Sequence, residues 1–495
     1  MPAPELIDSL ARVARERTPL GNPGITYARL RCPDCRGQFE FRPSTAHPPA
    51  YLTSEFGILS CDCFRYPVVD GIPILLKGRV GVFAFWGGEV EEPGPSVQDI
   101  VALIDAGEFH EALLRCLTFA PRIAWVDRLP GWSLWHGERV RRWTSRLVRQ
   151  RIERMLRSGS DTAEDWFGLF YGRLTTTDPY FLWYYRNRFA LPRTLATLTL
   201  IERLPGDERP VLDLASGFGP FAHYLTKRDK APLRVLGLDF NFYMLWGQKR
   251  CVAPAASFVC ADASRRLPFE DGAFSAALCS DALGWIHDKP IVASELRRCA
   301  PGRPVILARV GNGSASPSYR EELTPEAYRD LFAHGSPRFF SEQDLVRHYL
   351  ARSDPFAAPP TEPRFLGKDR WLYFVLEGHG LMSGTMPVDK WPHAVGKLEL
   401  NPVYRVGQPA PGRLALRFEF PAVWIAYQNA DMHAYHADRF EIDAAVLERA
   451  RRGERDGEIE RLVRSFVLIG MPERYLRPRI GEGAPMNASP GSRAA

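Results

Sequence analysis

The stretch Val211-Leu-Asp-Leu-Ala-Ser-Gly-Phe-Gly219 constrains this chain more than any other. It reads as an apolar strand ending in an acid, then a glycine loop, then a helix from about Pro220 to Thr226. Gly217 and Gly219 lack a Cβ, so the backbone can turn tightly and a ligand can lie against it. The N–H groups at the start of the next helix are free to meet the polar end of that ligand. Pro220 suits the first helical turn, where its missing N–H costs nothing.

Two kinds of ligand fit such a loop. The spacing Gly217-x-Gly219-x-x-Ala222, with Asp239 downstream, fits the dinucleotide fingerprint. Asp213 shifts the balance, because a carboxylate at the strand end repels a pyrophosphate and suits the ammonium of S-adenosylmethionine (SAM). The downstream order agrees. Val235-Leu-Gly-Leu-Asp239 is a second apolar strand ending in an acid, and Phe258-Val-Cys-Ala-Asp262 is a third. Leu267-Pro-Phe269 and Asp271-Gly-Ala-Phe274 lead into the strand Ala276–Ser280, and Leu296–Gly302 precedes the strand Val305–Ala308.

This succession resembles the class I SAM-dependent methyltransferases, of the broad type that acts on small molecules and some RNAs. The resemblance covers about residues 195–312 well and 313–378 loosely. It departs at Ala215 and Arg303, where glycine is common. It implies an α/β fold with a Rossmann-like seven-stranded sheet. It also implies a cofactor site drawn from Asp213, Ala215, Gly217, Gly219, Asp239, Phe240, Asp262, Ala263 and Ser280. Asp213 and Gly217 would border the methionine part, Asp239 the ribose hydroxyls and Asp262 the adenine amine. A carboxylate accepts two hydroxyl hydrogen bonds, and charge-assisted bonds are the stronger kind.

At 495 residues the chain allows roughly two to four domains. No apolar run approaches the ~20 residues of a membrane span. Met1 to Thr18 is charged and lacks an apolar signal region, which points to a cytoplasmic protein. The net charge of +6 is small for this length and does not by itself imply nucleic acid. Nine cysteines without a secretion signal argue against a disulfide framework. Cys116, Cys251, Cys260, Cys279 and Cys299 sit in apolar surroundings and read as core thiols.

The other cysteines are patterned. Cys32-Pro-Asp-Cys35 is a tight knuckle, and Cys61-Asp-Cys63 follows after a variable stretch. Four thiolates, Cys32, Cys35, Cys61 and Cys63, can complete a closed tetrahedral zinc site of the structural kind; the other reading is a metal-free ribbon with buried thiols. With the tail Tyr66-Pro-Val-Val-Asp-Gly-Ile-Pro-Ile-Leu-Leu76, they resemble the small zinc-ribbon family that includes the tRNA-methyltransferase activator. The match covers about residues 26–78 and departs in the second pair, which is C-x-C where C-x-x-C is common. In that family the ribbon activates or steadies a methyltransferase partner.

The expected organisation is a zinc-ribbon-like domain (24–80), a helical linker or cap (95–192), the methyltransferase domain (193–380), a C-terminal α+β region (385–478) and a disordered tail (479–495). Val97–Leu117 has helical spacing. Arg139–Arg157 reads as a basic helix with Leu147, Val148, Ile152, Met155 and Leu156 packed inward, or else as a phosphate-binding surface. Tyr180, Tyr184, Tyr185 and Arg188 lie on a segment that roofs the pocket in many relatives. In the C-terminal region Lys397–Val406, Arg413–Phe420 and Val423–Tyr427 read as strands, and Asp443–Leu468 as helical. His433 and His436, near Asp431 and Asp438, read as candidate metal ligands or as scattered polar loop residues.

Methyl transfer from a sulfonium is an in-line displacement, so the enzyme mainly aligns the nucleophile with the methyl group. Oxygen or carbon nucleophiles usually also need a base at the carboxyl end of the sheet. Asp281 and His287, just after the fourth strand, are best placed, and His223 is a third candidate. Three functions follow. The first is methylation of a small molecule or biosynthetic intermediate. The second is methylation of RNA or protein, docked through the ribbon and the arginine helix. The third is a non-catalytic SAM-fold scaffold.

Overall fold

The computed structural model describes residues 27–44, 55–81, 94–119, 132–159, 161–171, 180–228, 232–315, 322–357, 359–377, 380, 382 and 391–477. The expected tail lies outside these residues. A four-stranded antiparallel sheet comes first: β1 (Glu40–Pro43), β2 (Gly57–Ser60), β3 (Arg65–Val69) and β4 (Ile72–Pro73). The turn between β3 and β4 is Asp70-Gly71, both left-handed at φ 48° and 75°, as a two-residue hairpin requires.

Helices α1 (Val97–Asp105), α2 (Phe109–Leu117), α3 (Trp132–Ser158), α4 (Ala163–Tyr171), α5 (Tyr180–Asn187) and α6 (Pro192–Ile201) follow. The stretch Val97–Leu117 is two helices, because Gly107 turns left-handed at φ 77°. In α3, Val148, Ile152, Met155 and Leu156 are buried as expected. Leu147 is not: it is 43% exposed, beside Trp143 at 58%.

The central sheet grows from short apolar runs buried on both faces, the mark of parallel strands covered by helices. The strands are β5 (Val211–Leu214), β6 (Val235–Asp239), β7 (Ser257–Cys260), β8 (Ala276–Ser280), β9 (Val305–Gly311), β10 (Arg338–Ser341) and β11 (Trp371–Leu376). Their spatial order is β7-β6-β5-β8-β9-β11-β10. Neighbours from β7 to β9 are parallel, and β11 runs antiparallel to both β9 and β10. This is the Rossmann-like seven-stranded sheet expected. Helices α7 (Phe221–Lys227), α8 (Phe242–Cys251) and α9 (Lys289–Cys299) are its crossovers. The strand order reverses between β5 and β8, which is where open α/β sheets bind ligands.

After β9 come α10 (Pro325–Leu331) and α11 (Glu342–Ala351); the latter is capped by Ser341, which accepts from Asp344 N at 3.1 Å. The C-terminal region pairs β12 (Lys397–Leu400) with a late strand, Leu468–Met471. A meander of β13 (Tyr404–Ala410), β14 (Arg413–Phe418) and β15 (Arg439–Asp443) lies between. Val423–Gln428 is a short helix, α12, and not a strand. Of its described side chains only Ile425 is buried, so no alternating buried face was there to form. The charged stretch from Asp443 resolves into two helices, Ala444–Arg451 and Gly457–Arg464.

The amino-terminal sheet docks against the outer edge of the central sheet. Ile74 bridges Cys260 in parallel, Leu75 N donates to Cys260 O at 2.7 Å, and Leu30 bridges Phe269. Among the described residues no helix is long and apolar enough to cross a membrane. All five cysteines read as core thiols are buried.

Candidate active site

The loop after β5 is built around its backbone. Ala215 and Gly217 both adopt left-handed φ, 57° and 50°. A residue in that region strains any side chain, which accounts for the glycine common at the position of Ala215. At Gly219 a Cβ would stand 2.5 Å from Ser216 O. Gln248 of α8 pins the loop: it accepts from Ser216 Oγ at 3.1 Å and donates to Gly219 O at 3.0 Å.

Asp239, at the end of β6, accepts from Gly217 N at 3.0 Å and Asn241 N at 2.9 Å. Burial pushes its carboxyl up to about 6 against those hydrogen bonds. Asp262 follows β7 and accepts from Ser264 N at 2.8 Å. Asp213 is 2% exposed, and its Oδ2 has no hydrogen-bond partner among the described residues. Burial raises this carboxyl, Arg188 opposes the rise and Asp239 adds to it, leaving it at about 7.

A cavity of about 770 Å³ opens over the carboxyl ends of these strands. Ala215, Gly217, Asp239, Phe240, Asp262, Ala263 and Ser280 line it, as do Asp281 and His287. Asp213 and Gly219 instead line a small recess, which shares Tyr184, Arg188, Arg193, Ala215, Ser216, Ser280 and Asp281 with the main cavity. All the residues singled out for the cofactor therefore gather at one place.

Segment 181–188 does cover the cavity, through Phe181, Tyr184, Tyr185 and Arg188. The side chain of Tyr180 lies outside the described residues. Arg188 donates to Phe218 O at 2.9 Å and lies 5.2 Å from the ring centres of both Tyr184 and Tyr185.

Asp281 stands between two guanidiniums, 3.1 Å from Arg193 and 3.0 Å from Arg309. Arg193 comes from α6 and lies 4.7 Å from the Tyr184 ring centre. Arg309 comes from β9, is 6% exposed, and stacks 3.8 Å from the Trp371 ring centre. Sequence reasoning missed both arginines. Arg309 did leave a signal, as a charge inside the apolar strand Val305–Gly311. His287 is exposed at the cavity wall.

His223 is excluded from the site. It is buried, its Nε2 sits 3.2 Å from Val395 O, and burial holds it down at about 4. His436 is also buried, bonded to Asn401 and Met432 O, while His433 pairs with Asp438 at 3.5 Å. Neither histidine joins a metal-binding group among the described residues.

Cys32, Cys35, Cys61 and Cys63 do converge, with ligand atoms all within 4.8 Å of one another. Zinc–sulfur bonds of about 2.3 Å fit such a cluster. Burial opposes ionisation of Cys32, but hydrogen bonds from the N–H groups of Cys35 and Asp34, the Tyr66 hydroxyl and the Cys63 thiol together bring the thiol to about 7.

Residues 212–302 match the family described as a methyltransferase domain. Together with the seven-stranded sheet, this match makes the chain an enzyme with a SAM-dependent methyltransferase domain. No curated protein matches the chain. Similar solved structures include a Bacillus halodurans protein described as a methyltransferase (18% identity, 37% of this chain, 96% of that chain, TM-score 0.25). Another is a chain from the complex of the Haloferax volcanii Trm112 methyltransferase activator with a methyltransferase (19%, 39%, 89%, 0.29). A third is phosphoethanolamine N-methyltransferase 2 of Haemonchus contortus (18%, 36%, 51%, 0.28).

Proposed function

We propose that this enzyme transfers the methyl group of SAM to a small-molecule acceptor held in the same cavity. The observation that carries this reading is the cavity itself. At about 770 Å³ it falls within the ~300–1,000 Å³ of small-ligand sites. The glycine loop, Asp239 and Asp262 line it, and so do Trp285, Trp371, Trp424 and Arg309.

The chain's residues suit the cofactor. Asp213 Oδ2 is a buried acceptor without a partner, which an ammonium would satisfy. Arg188 beside it suits a carboxylate, Asp239 the ribose hydroxyls and Asp262 the adenine amine. Bound there, SAM supplies an electrophilic methyl group on a sulfonium. In such a transfer the acceptor's lone pair would form the new bond to carbon as the carbon–sulfur pair left to sulfur, and this chain's residues would align the two. Of the two groups proposed for the acceptor's proton, His287 is the one exposed at the cavity wall. Asp281 is committed to Arg193 and Arg309 and serves better to position them. The four cysteines are proposed to hold a structural zinc.

One observation favours an RNA acceptor instead. Along α3, Arg139, Arg146, Arg151, Arg154 and Arg157 are exposed, as is Trp143. RNA binding that weakens steeply with salt would support that reading. The direct test of the cofactor site is calorimetric titration with SAM and S-adenosylhomocysteine (SAH), alongside Asp239→Ala. That variant leaves the N–H groups of Gly217 and Asn241 without their carboxylate, and a ten- to hundredfold loss is expected, about 1.5–3 kcal/mol. No binding by the well-folded parent chain would overturn the proposal.

A further inference from the structure

Residues 74–81 leave the amino-terminal sheet and run across the carboxyl ends of β7 and β6. Ile74 bridges Cys260 at the start of this path and Gly81 bridges Asn241 at its end. Along it, Leu76, Lys77, Arg79 and Gly81 line the cavity, which Asp262, Ala263 and Ser264 also line. The ribbon is therefore not a neighbour of the pocket but one of its walls.

That wall is tied to the cysteine knuckle. Lys77 Nζ lies 3.1 Å from Asp34 Oδ2, a carboxylate between Cys32 and Cys35. The Tyr66 hydroxyl donates to the same oxygen at 3.2 Å. The knuckle is also tied to the loop that carries Asp262. Arg31 N donates to Pro268 O at 3.0 Å, and the Arg36 guanidinium donates to Leu267 O at 3.1 Å and Phe269 O at 3.0 Å. Two sides of the pocket's proposed adenosine end thus meet at four cysteines.

We propose that the four-cysteine site is the keystone of the cofactor pocket: zinc occupancy sets the affinity for the cofactor, and the cofactor in turn tightens the zinc. The proposal rests on the cofactor reading above. A closed tetrathiolate site supplies folding energy to a segment with little core of its own. Leu30, Phe39, Leu59, Tyr66 and Val68 pack into one cluster with the central sheet, so loss of zinc leaves the ribbon attached. What it releases is the knuckle backbone, and with it the geometry of Asp34, Lys77 and Arg36. Apparent affinity falls in proportion to the fraction of chains whose wall is in place. If one chain in ten keeps it, SAH binds about tenfold more weakly. Linkage requires SAH to tighten zinc by the same factor.

The test uses the full chain, loaded with zinc, stripped by a chelator under reducing conditions, and reloaded. The expected result is SAH binding about tenfold weaker in the stripped chain and restored on reloading. Zinc release to 4-(2-pyridylazo)resorcinol should also slow when SAH is saturating. Arg36→Met keeps every cysteine and every cavity residue. It should retain zinc yet shrink the ratio between loaded and stripped affinities. Equal SAH affinity with and without zinc overturns the keystone alone, as does an unchanged ratio in Arg36→Met or a chain that takes up no zinc. Failure of the zinc-loaded chain to bind SAH overturns the cofactor reading and the keystone with it.

Discussion

Replacing Asp213 with asparagine probes the proposed cofactor site through one charge. The Asp213 carboxyl is buried, has one oxygen without a partner, and sits at about 7 in place of 3.8. The folded chain holds this proton more tightly than the unfolded chain does. Its contribution to stability is therefore present at acidic pH and is lost as pH climbs from 3.8 through about 7. Full ionisation costs about 4 kcal/mol, at 1.36 kcal/mol for each tenfold change in proton affinity. An ammonium seated against Oδ2 binds the ionised form, so SAH affinity should rise about tenfold between pH 6 and pH 8. Asp213→Asn should remove most of that slope, weaken SAH at pH 8 by about ten- to hundredfold, and raise the Tm of the ligand-free protein there. Titration calorimetry across this range, with thermal unfolding beside it, reads all three. An affinity flat with pH in the parent chain, with Asp213→Asn binding as tightly, would refute the placement of the ammonium.

Other expectations concern stability. His393 is fully buried between the Tyr349 hydroxyl at 2.8 Å and Val463 O at 3.0 Å, and burial holds it down at about 4. Its contribution is present above 6.5 and lost as pH falls toward 4, about 3 kcal/mol in all. His393→Gln should flatten the dependence of Tm on pH in that window, and an unchanged slope would count against the assignment. Gly237→Ala would place a Cβ 2.8 Å from both the Phe258 ring and Ser216 Oγ. A loss of about 1–3 kcal/mol in urea unfolding is expected, and none at all would mean that β6 packs more loosely than described.

The central sheet was legible because β5, β6 and β7 are short runs buried on both faces, each with an acid within two residues of its carboxyl end. That pattern comes from local sequence. Asp213, Asp239 and Asp262 could be picked out for the same reason: each sits at or beside the carboxyl end of a strand. The pairing of Asp281 with Arg193 and Arg309 was not legible, because it joins a strand end, a helix and a second strand far apart in the chain. His223 was misplaced for a similar reason. Only the folded C-terminal region brings Val395 against it. The cysteine spacing announced that four thiols would gather in one knuckle, but nothing local announced that Arg36 and Lys77 would tie that knuckle to the cavity. Val423–Gln428 misled through its β-prone composition, which a single buried side chain did not support.

The docking of the ribbon on the outer edge of the central sheet has a consequence for where this enzyme can be divided. Cys260 O and the loop at Phe269 are occupied by Leu75 and Leu30 of the same chain. A fragment starting near residue 193 would leave this strand edge bare, and bare edges template pairing between molecules. Because the cover is covalently attached, its effective concentration is high and independent of expression level. Dilution cannot remove it, and no second polypeptide has to be made in matching amounts. The smallest piece expected to stay in solution as a monomer therefore begins at the ribbon and not at the glycine loop.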